Sequence, residues 1–110
     1  MARFVKGEVV VVPFPFSALS KSKRRPALVL AELAGDDRIL CQITSRHLRD
    51  SHAIALDDAD FDKGSLHQPS YIRPNRLFTA DSHIILYSAG RLKADKLAEV
   101  LDKVVEILRR

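Results

Sequence analysis

The chain has one cysteine, no tryptophan and 6% aromatic residues in 110. With Cys41 alone, no intrachain disulfide is possible, which fits a reducing cytosol. Its setting in "RILCQIT", between apolar neighbours, reads as a small buried hydrophobe. His47, His52, His67 and His83 stand at no metal-ligand spacing with it; each reads as a surface side chain able to titrate near neutrality. No apolar run approaches the length needed to span a bilayer. The start, "MARFVKGEVVVV", has neither the long apolar stretch nor the small-residue cleavage site of a signal peptide, so a cytoplasmic protein is expected. A P-loop, a dinucleotide fingerprint and a nucleophile elbow are all missing. So are internal repeats, low-complexity tracts and linkers.

What is present is ordinary globular composition, 46% apolar and 29% charged. A chain of this length is expected to form one domain, 1–110, around one core. Its formal charge of +4 and pI near 9.5 point to an anionic partner.

Short β-rich segments dominate. "GEVVVVPF" (7–14) reads as a buried strand stopped by Pro13 and Pro15. "PALVLAEL" (26–33), "RILCQIT" (38–44) and "SHAIAL" (51–56) read as further strands, with "AGDD" (34–37) as a hairpin turn. Residues 57–69 read as irregular. "SYIRP" (70–74) and "RLFTA" (76–80) read as two short strands, and 83–92 suits strand or helix equally. From Lys93, Leu97, Val100, Leu101, Val104, Val105 and Leu108 recur at helical spacing, predicting an amphipathic helix of about four turns. Five or six short strands and one terminal helix predict a mainly β fold, a small barrel with the helix packed outside.

Three segments carry candidate chemistry. "KSKRRP" (21–26) concentrates Lys21, Lys23, Arg24 and Arg25 at a strand entrance. Pro26 pushes Arg25 towards an extended backbone and so gives its guanidinium a direction. A guanidinium donates two parallel hydrogen bonds to a phosphate and stays charged at any working pH. "ITSR" (43–46) ends a strand on Thr44 and Ser45, whose hydroxyls suit a phosphate oxygen or a ribose, or equally the turn's own backbone. "SYIRPNR" (70–76) sets Arg73, Asn75 and Arg76 around a second arginine–proline step. Asp58, Asp60 and Asp62 alternate like the start of a calcium loop. Lys63 and Pro69 stand where that loop needs glycine and glutamate, which excludes it. No metal and no cofactor are expected.

The order of "KGEVVVVPFPFS", "RRPALVLA", "ITSR", "SYIRPNRLFTAD" and "AGRL", followed by the helix, resembles the MazF/PemK (Kid-like) toxins of type II toxin–antitoxin modules. The resemblance runs from about residue 6 to the C-terminus. It implies an SH3-like small β-barrel, usually a homodimer. It also implies a metal-independent, sequence-selective endoribonuclease that cuts single-stranded mRNA, leaving 2′,3′-cyclic phosphate and 5′-hydroxyl ends. The partner it implies is an antitoxin whose acidic tail covers the RNA groove.

Carried over by position, the resemblance places Arg25 and Thr44 in the catalytic site, with Ser45 beside Thr44. On that reading Arg25 stabilises the pentacoordinate phosphate, Thr44 positions phosphate or ribose, and Arg73 contacts the phosphate or assists the leaving oxygen. Lys21, Lys23 and Arg24 hold the RNA backbone, and Ser45 and Asn75 add RNA contacts. With aromatics scarce, Phe16 is one candidate base platform, or equally a side chain packed against the barrel rim. Two departures are visible. Where some members have Arg–x–Asp, this chain reads Arg73–Pro74–Asn75, and Asn75 cannot take a proton at neutral pH. Serine and lysine in "SALSKSKR" replace the family's Gly–x–Glu signature. The alternatives are a non-catalytic member that binds RNA or antitoxin, and a gyrase poison like CcdB, which has the same barrel.

Overall fold

The computed structural model describes residues 4–14, 23–46 and 49–110. Its strands are β1 (Glu8–Phe14), β2 (Lys23–Glu32), β3 (Asp37–Thr44), β4 (Ile54–Leu56), β5 (Phe61–Gly64), β6 (Ser70–Asp81) and β7 (Tyr87–Leu92). The helix α1 (Ala94–Leu108) follows, and short 3-10 turns occupy Asp58–Asp60 and Ser82–Ile84. All seven strands form one antiparallel sheet in the order β4-β6-β3-β2-β1-β7-β5. Its outer strands β4 and β5 are joined through the 3-10 turn, so the sheet curls on itself as a small barrel.

Curling explains the unbroken valines of β1. Val9 packs with Leu28, Cys41, Ile72 and helix residues Val100 and Val104. Val10 and Val12 pack on the opposite face with Ala27, Val29, Leu40 and Ile85. A strand covered on both faces has no polar side to alternate. Cys41 is fully buried, and burial pushes its thiol up to about 12, so it is an inert core residue. Among the described residues no helix is long and apolar enough to cross a membrane.

Several expected boundaries move. β2 begins at Lys23, so Arg24 and Arg25 lie within the sheet, paired with Pro13 and Val12, rather than ahead of it. β1 does not stop at Pro13. The Val11 carbonyl accepts from the Leu86 amide on the β7 side, at 2.8 Å. Main-chain groups two residues on face the same way, and β7 pairs β1 only up to Val11. Among the described residues no strand therefore faces the missing N–H of Pro13, so no ladder bond is lost there. The two strands expected at 70–74 and 76–80 are one, β6, carrying a bulge. Gln42 pairs with Arg73 while its neighbour Cys41 pairs with Leu77, leaving Pro74, Asn75 and Arg76 unpaired. Pro74 is buried there and Asn75 and Arg76 are exposed.

Residues 57–69, expected to be irregular, contain the 3-10 turn and β5. Asp57 and Asp60 cap that turn reciprocally, and Asp62 pairs with Arg91 at 3.5 Å, so these aspartates have structural partners. Gly64, at φ +75°, crosses β7 closely: a Cβ there would lie 2.1 Å from the Ala89 carbonyl oxygen. The ambiguous 83–92 stretch is mostly strand. In α1, Val100 and Val104 are buried, whereas Val105 and Leu108, expected on the apolar stripe, are exposed in the single chain.

Arg38 is the charged residue that sequence reasoning passed over. It is 2% exposed, and among the described residues no carboxylate pairs with it. Backbone carbonyls hold it instead: Nε donates to Phe4 at 2.7 Å, and Nη1 to Asp37 at 2.9 Å and Gly35 at 3.3 Å. It ties the N-terminal segment to the β2–β3 turn. Hydrogen bonds from a charged donor in such a setting are worth about 1.5 to 3 kcal/mol. Arg38→Met should therefore lower stability by about 2 to 3 kcal/mol in urea unfolding; an unchanged midpoint would refute this role.

Candidate functional site

One end of the sheet gathers the candidate residues. The start of β2, the end of β3 and the start of β7 meet there because neighbouring strands run antiparallel. The β2–β3 ladder reaches Ala27↔Gln42. Continued by two residues, that register sets Arg25 level with Thr44. A cleft of about 220 Å³ opens at this point. Arg24, Arg25, Thr44 and Ser45 all line it, with Gln68, Ser70 and Tyr87 from the other side. Val11, Pro26, Ile43 and Leu66 form its apolar part.

The polar groups of the cleft have few competing partners. Among the described residues, neither Arg24 nor Arg25 makes an ion pair or a side-chain hydrogen bond, and no Asp, Glu or His lines the cleft. The Thr44 hydroxyl accepts from the Arg46 amide at 3.1 Å. That bond uses one lone pair and leaves the O–H free to donate. Ser70 is buried, and its hydroxyl donates to the Gln68 carbonyl at 3.2 Å. Two guanidiniums without a partner among the described residues, beside hydroxyl donors, make a setting for an anion able to accept several hydrogen bonds at once.

Arg73 and Asn75 lie on β6 and are not among the lining residues. The Arg73 Nε donates to Asp50 Oδ2 at 3.1 Å, with the side chains 16% and 7% exposed. Asp50 Oδ1 also accepts from the His52 amide at 2.9 Å. The pair thus fastens the segment after β3 to β6. Burial alone would raise the Asp50 carboxyl pKa. The His52 amide and the Arg73 guanidinium outweigh it and hold the group below the usual carboxylate range.

Lys23 is exposed on β2 beside the cleft without lining it. Phe16, Lys21 and His47 lie outside the described residues. None of the other histidines lines the cleft. His67 borders a separate cavity of about 280 Å³ with Asp57 and Asp58. His83 is 66% exposed, with Nδ1 at 2.6 Å from Asp81 Oδ1; the bond to Asp81 raises its pKa. Sequence reasoning missed Gln68, Ser70 and Tyr87. Nothing local sets them beside the arginines: strand pairing places Ser70 and Tyr87 there, and the turn ahead of β6 places Gln68.

The comparisons with known proteins agree with this architecture. A family profile described as "PemK-like, MazF-like toxin of type II toxin-antitoxin system" matches residues 5–108. Among solved structures, MazF (Form-I) from Deinococcus radiodurans superposes with a TM-score of 0.78 at 23% identity, covering 100% of both chains. A chain of the MazE-MazF (Form-II) structure from the same organism gives 0.74 at 23% identity, covering 98% of this chain and 97% of that one. An endoribonuclease in complex with its cognate antitoxin, from a mycobacterial species, gives 0.74 at 11% identity, covering 96% and 94%. No curated protein matches the sequence at a significant level.

The Asp50–Arg73 pair makes a pH prediction. A carboxyl with a lowered folded-state pKa adds stability that is fully present above its unfolded value, about 3.9, and is lost as pH falls through the folded value. Stability should therefore drop on acidification below about pH 4, and part of that drop should be missing in Asp50→Asn. That variant should also be less stable than the parent at pH 7. Parallel stability–pH curves for the two proteins would contradict the assignment.

Proposed function

The chain belongs to the PemK-like, MazF-like toxins of type II toxin–antitoxin systems, and from that premise we propose that it is an endoribonuclease acting on single-stranded mRNA. The observation that carries this reading is the cleft in which Arg24 and Arg25, unpaired among the described residues, stand beside Thr44 and Ser45.

The substrate brings its own nucleophile. The ribose 2′-oxygen bonds to the adjacent phosphorus and gives up its proton. The bond from phosphorus to the 5′-oxygen breaks, and that oxygen takes a proton. The products are a 2′,3′-cyclic phosphate and a 5′-hydroxyl. Negative charge grows on the non-bridging oxygens as phosphorus becomes pentacoordinate. Arg25, held in the sheet ahead of Pro26, donates to those oxygens, where a preorganised donor stabilises most. The Thr44 hydroxyl, with its oxygen anchored by the Arg46 amide, positions the phosphate or the ribose. Arg24 and Ser45 add contacts at the same cleft, and Lys21 and Lys23 hold neighbouring phosphates. Arg73 acts at one remove, by holding Asp50 and the segment after β3. Asn75, exposed on the β6 bulge, offers a hydrogen-bonding group for RNA beyond the cleft. The scheme uses guanidinium charge in place of a metal ion.

The proposal extends to the assembly. One domain spans 1–110, works as a homodimer in the cytoplasm, and is silenced by an antitoxin whose acidic segment pairs with Arg24 and Arg25. Solved complexes of similarly folded proteins with their antitoxins support an antitoxin partner. A binding-only role is the second reading. It draws on the lack of any carboxylate or histidine in the described lining, which leaves no ordinary general base there.

Cleavage of a mixed-sequence RNA in EDTA, with the new ends mapped, separates the two. The parent should cut at a short recurring motif and leave 5′-hydroxyl ends. Arg25→Ala should slow cleavage by about 100- to 1,000-fold without changing the unfolding midpoint. Parent-like cutting by that variant would remove Arg25 from the mechanism. A folded parent that binds RNA and leaves it intact would establish the binding-only reading, and gyrase inhibition with RNA intact would point to the CcdB-like alternative.

A further inference from the structure

We propose that Tyr87 is the platform on which an unpaired base stacks, next to the phosphate held by Arg24 and Arg25. The inference rests on the reading of the cleft as a single-stranded nucleic-acid site and adds a residue that neither the motifs nor the resemblance marks.

Tyr87 heads β7 and pairs with Val11, which pairs on its other side with Pro26. Tyr87, Val11 and the Arg25–Pro26 step thus lie in one row across three strands. Two strand spacings put the Tyr87 backbone about 10 Å from that of Pro26. A nucleotide with its phosphate on the guanidiniums and its base over the ring fits that separation. The ring is the only aromatic in the described lining. It is 48% exposed, and the other large apolar side chains exposed in the described chain are all aliphatic. Its hydroxyl has no hydrogen-bond partner among the described residues. A lone exposed tyrosine on a strand is unremarkable by itself. This one shares a cleft with two arginines that are unpaired among the described residues, and that pairing of an aromatic face with cations is the usual construction of single-strand binding surfaces. Every base has a π-face, so the contact adds affinity without choosing a sequence.

The chain offers its own spectroscopic probe, since it has no tryptophan and only two tyrosines. Homopolymeric 2′-O-methyl RNA oligonucleotides, which lack the attacking hydroxyl, are titrated into the parent, Tyr87→Phe and Tyr87→Ala. Binding should quench tyrosine emission in the parent. Tyr87→Phe should bind within a few-fold of the parent with most of the quenching gone. Tyr87→Ala should bind about 5- to 100-fold more weakly. An abasic position moved along the tightest-binding oligonucleotide should weaken parent binding by a similar factor at one place and leave Tyr87→Ala little changed there. Parent-like binding by Tyr87→Ala, or equal abasic losses in both proteins, would overturn the platform. Quenching in a protein that cuts no RNA would support the platform and remove only the nuclease reading. A parent that binds no single strand would overturn both.

Discussion

The register between β2 and its two neighbours is the constraint on which the site depends. Arg25 reaches the cleft with Thr44 because Ala27 pairs with Gln42, and Tyr87 joins them because Val11 pairs with both Tyr87 and Pro26. A slip of one residue would exchange the two faces of β2. Leu28 and Val29, now buried in opposite cores, would trade places. Neither core is built for that exchange, so burial on both faces fixes the register, and the register fixes the cleft. The cleft is a by-product of packing carried to the end of a strand.

The arginines divide along the same line. Arg38 is consumed by backbone carbonyls at the N-terminal segment, Arg73 by Asp50, and Arg91 by Asp62. Each fastens a junction through those contacts. Arg24 and Arg25 have no such partner among the described residues; Arg46, Arg49, Arg76 and Arg109 have none either, but of these only Arg24 and Arg25 line the cleft. Net charge therefore says less about the site than the distribution of partners does. The cations free to meet an anion are those to which the fold assigns no other work.

Much of this was legible in the sequence. The valine run, the terminal helix and the order of motifs point to a small barrel, and the cations of "KSKRRP" and the hydroxyls of "ITSR" single out Arg24, Arg25, Thr44 and Ser45. The rest depended on contacts between distant segments. Pro13 looks like a strand stop, and only the pairing shows that it lies past the end of β7. Pro74 split a strand on paper because a bulge cannot be told from a break without the partner strand. Arg73 looked like a site residue from its arginine–proline step, and only the fold reveals Asp50 beside it. Tyr87 and Gln68 belong to no local motif, and Ser70 opens one with nothing to show that it faces the arginines. Arg38 sat in a hairpin strand with nothing to say that its charge would be buried.

The most direct test of the central claim is a crystal structure with a short single-stranded oligonucleotide whose 2′-hydroxyl is replaced by hydrogen, so that it binds and is not cut. The account predicts a backbone phosphate in the cleft, its oxygens within hydrogen-bond distance of the Arg25 guanidinium and the Thr44 hydroxyl. An oligonucleotide seated on another face of the barrel, with this cleft filled only by solvent, would contradict it.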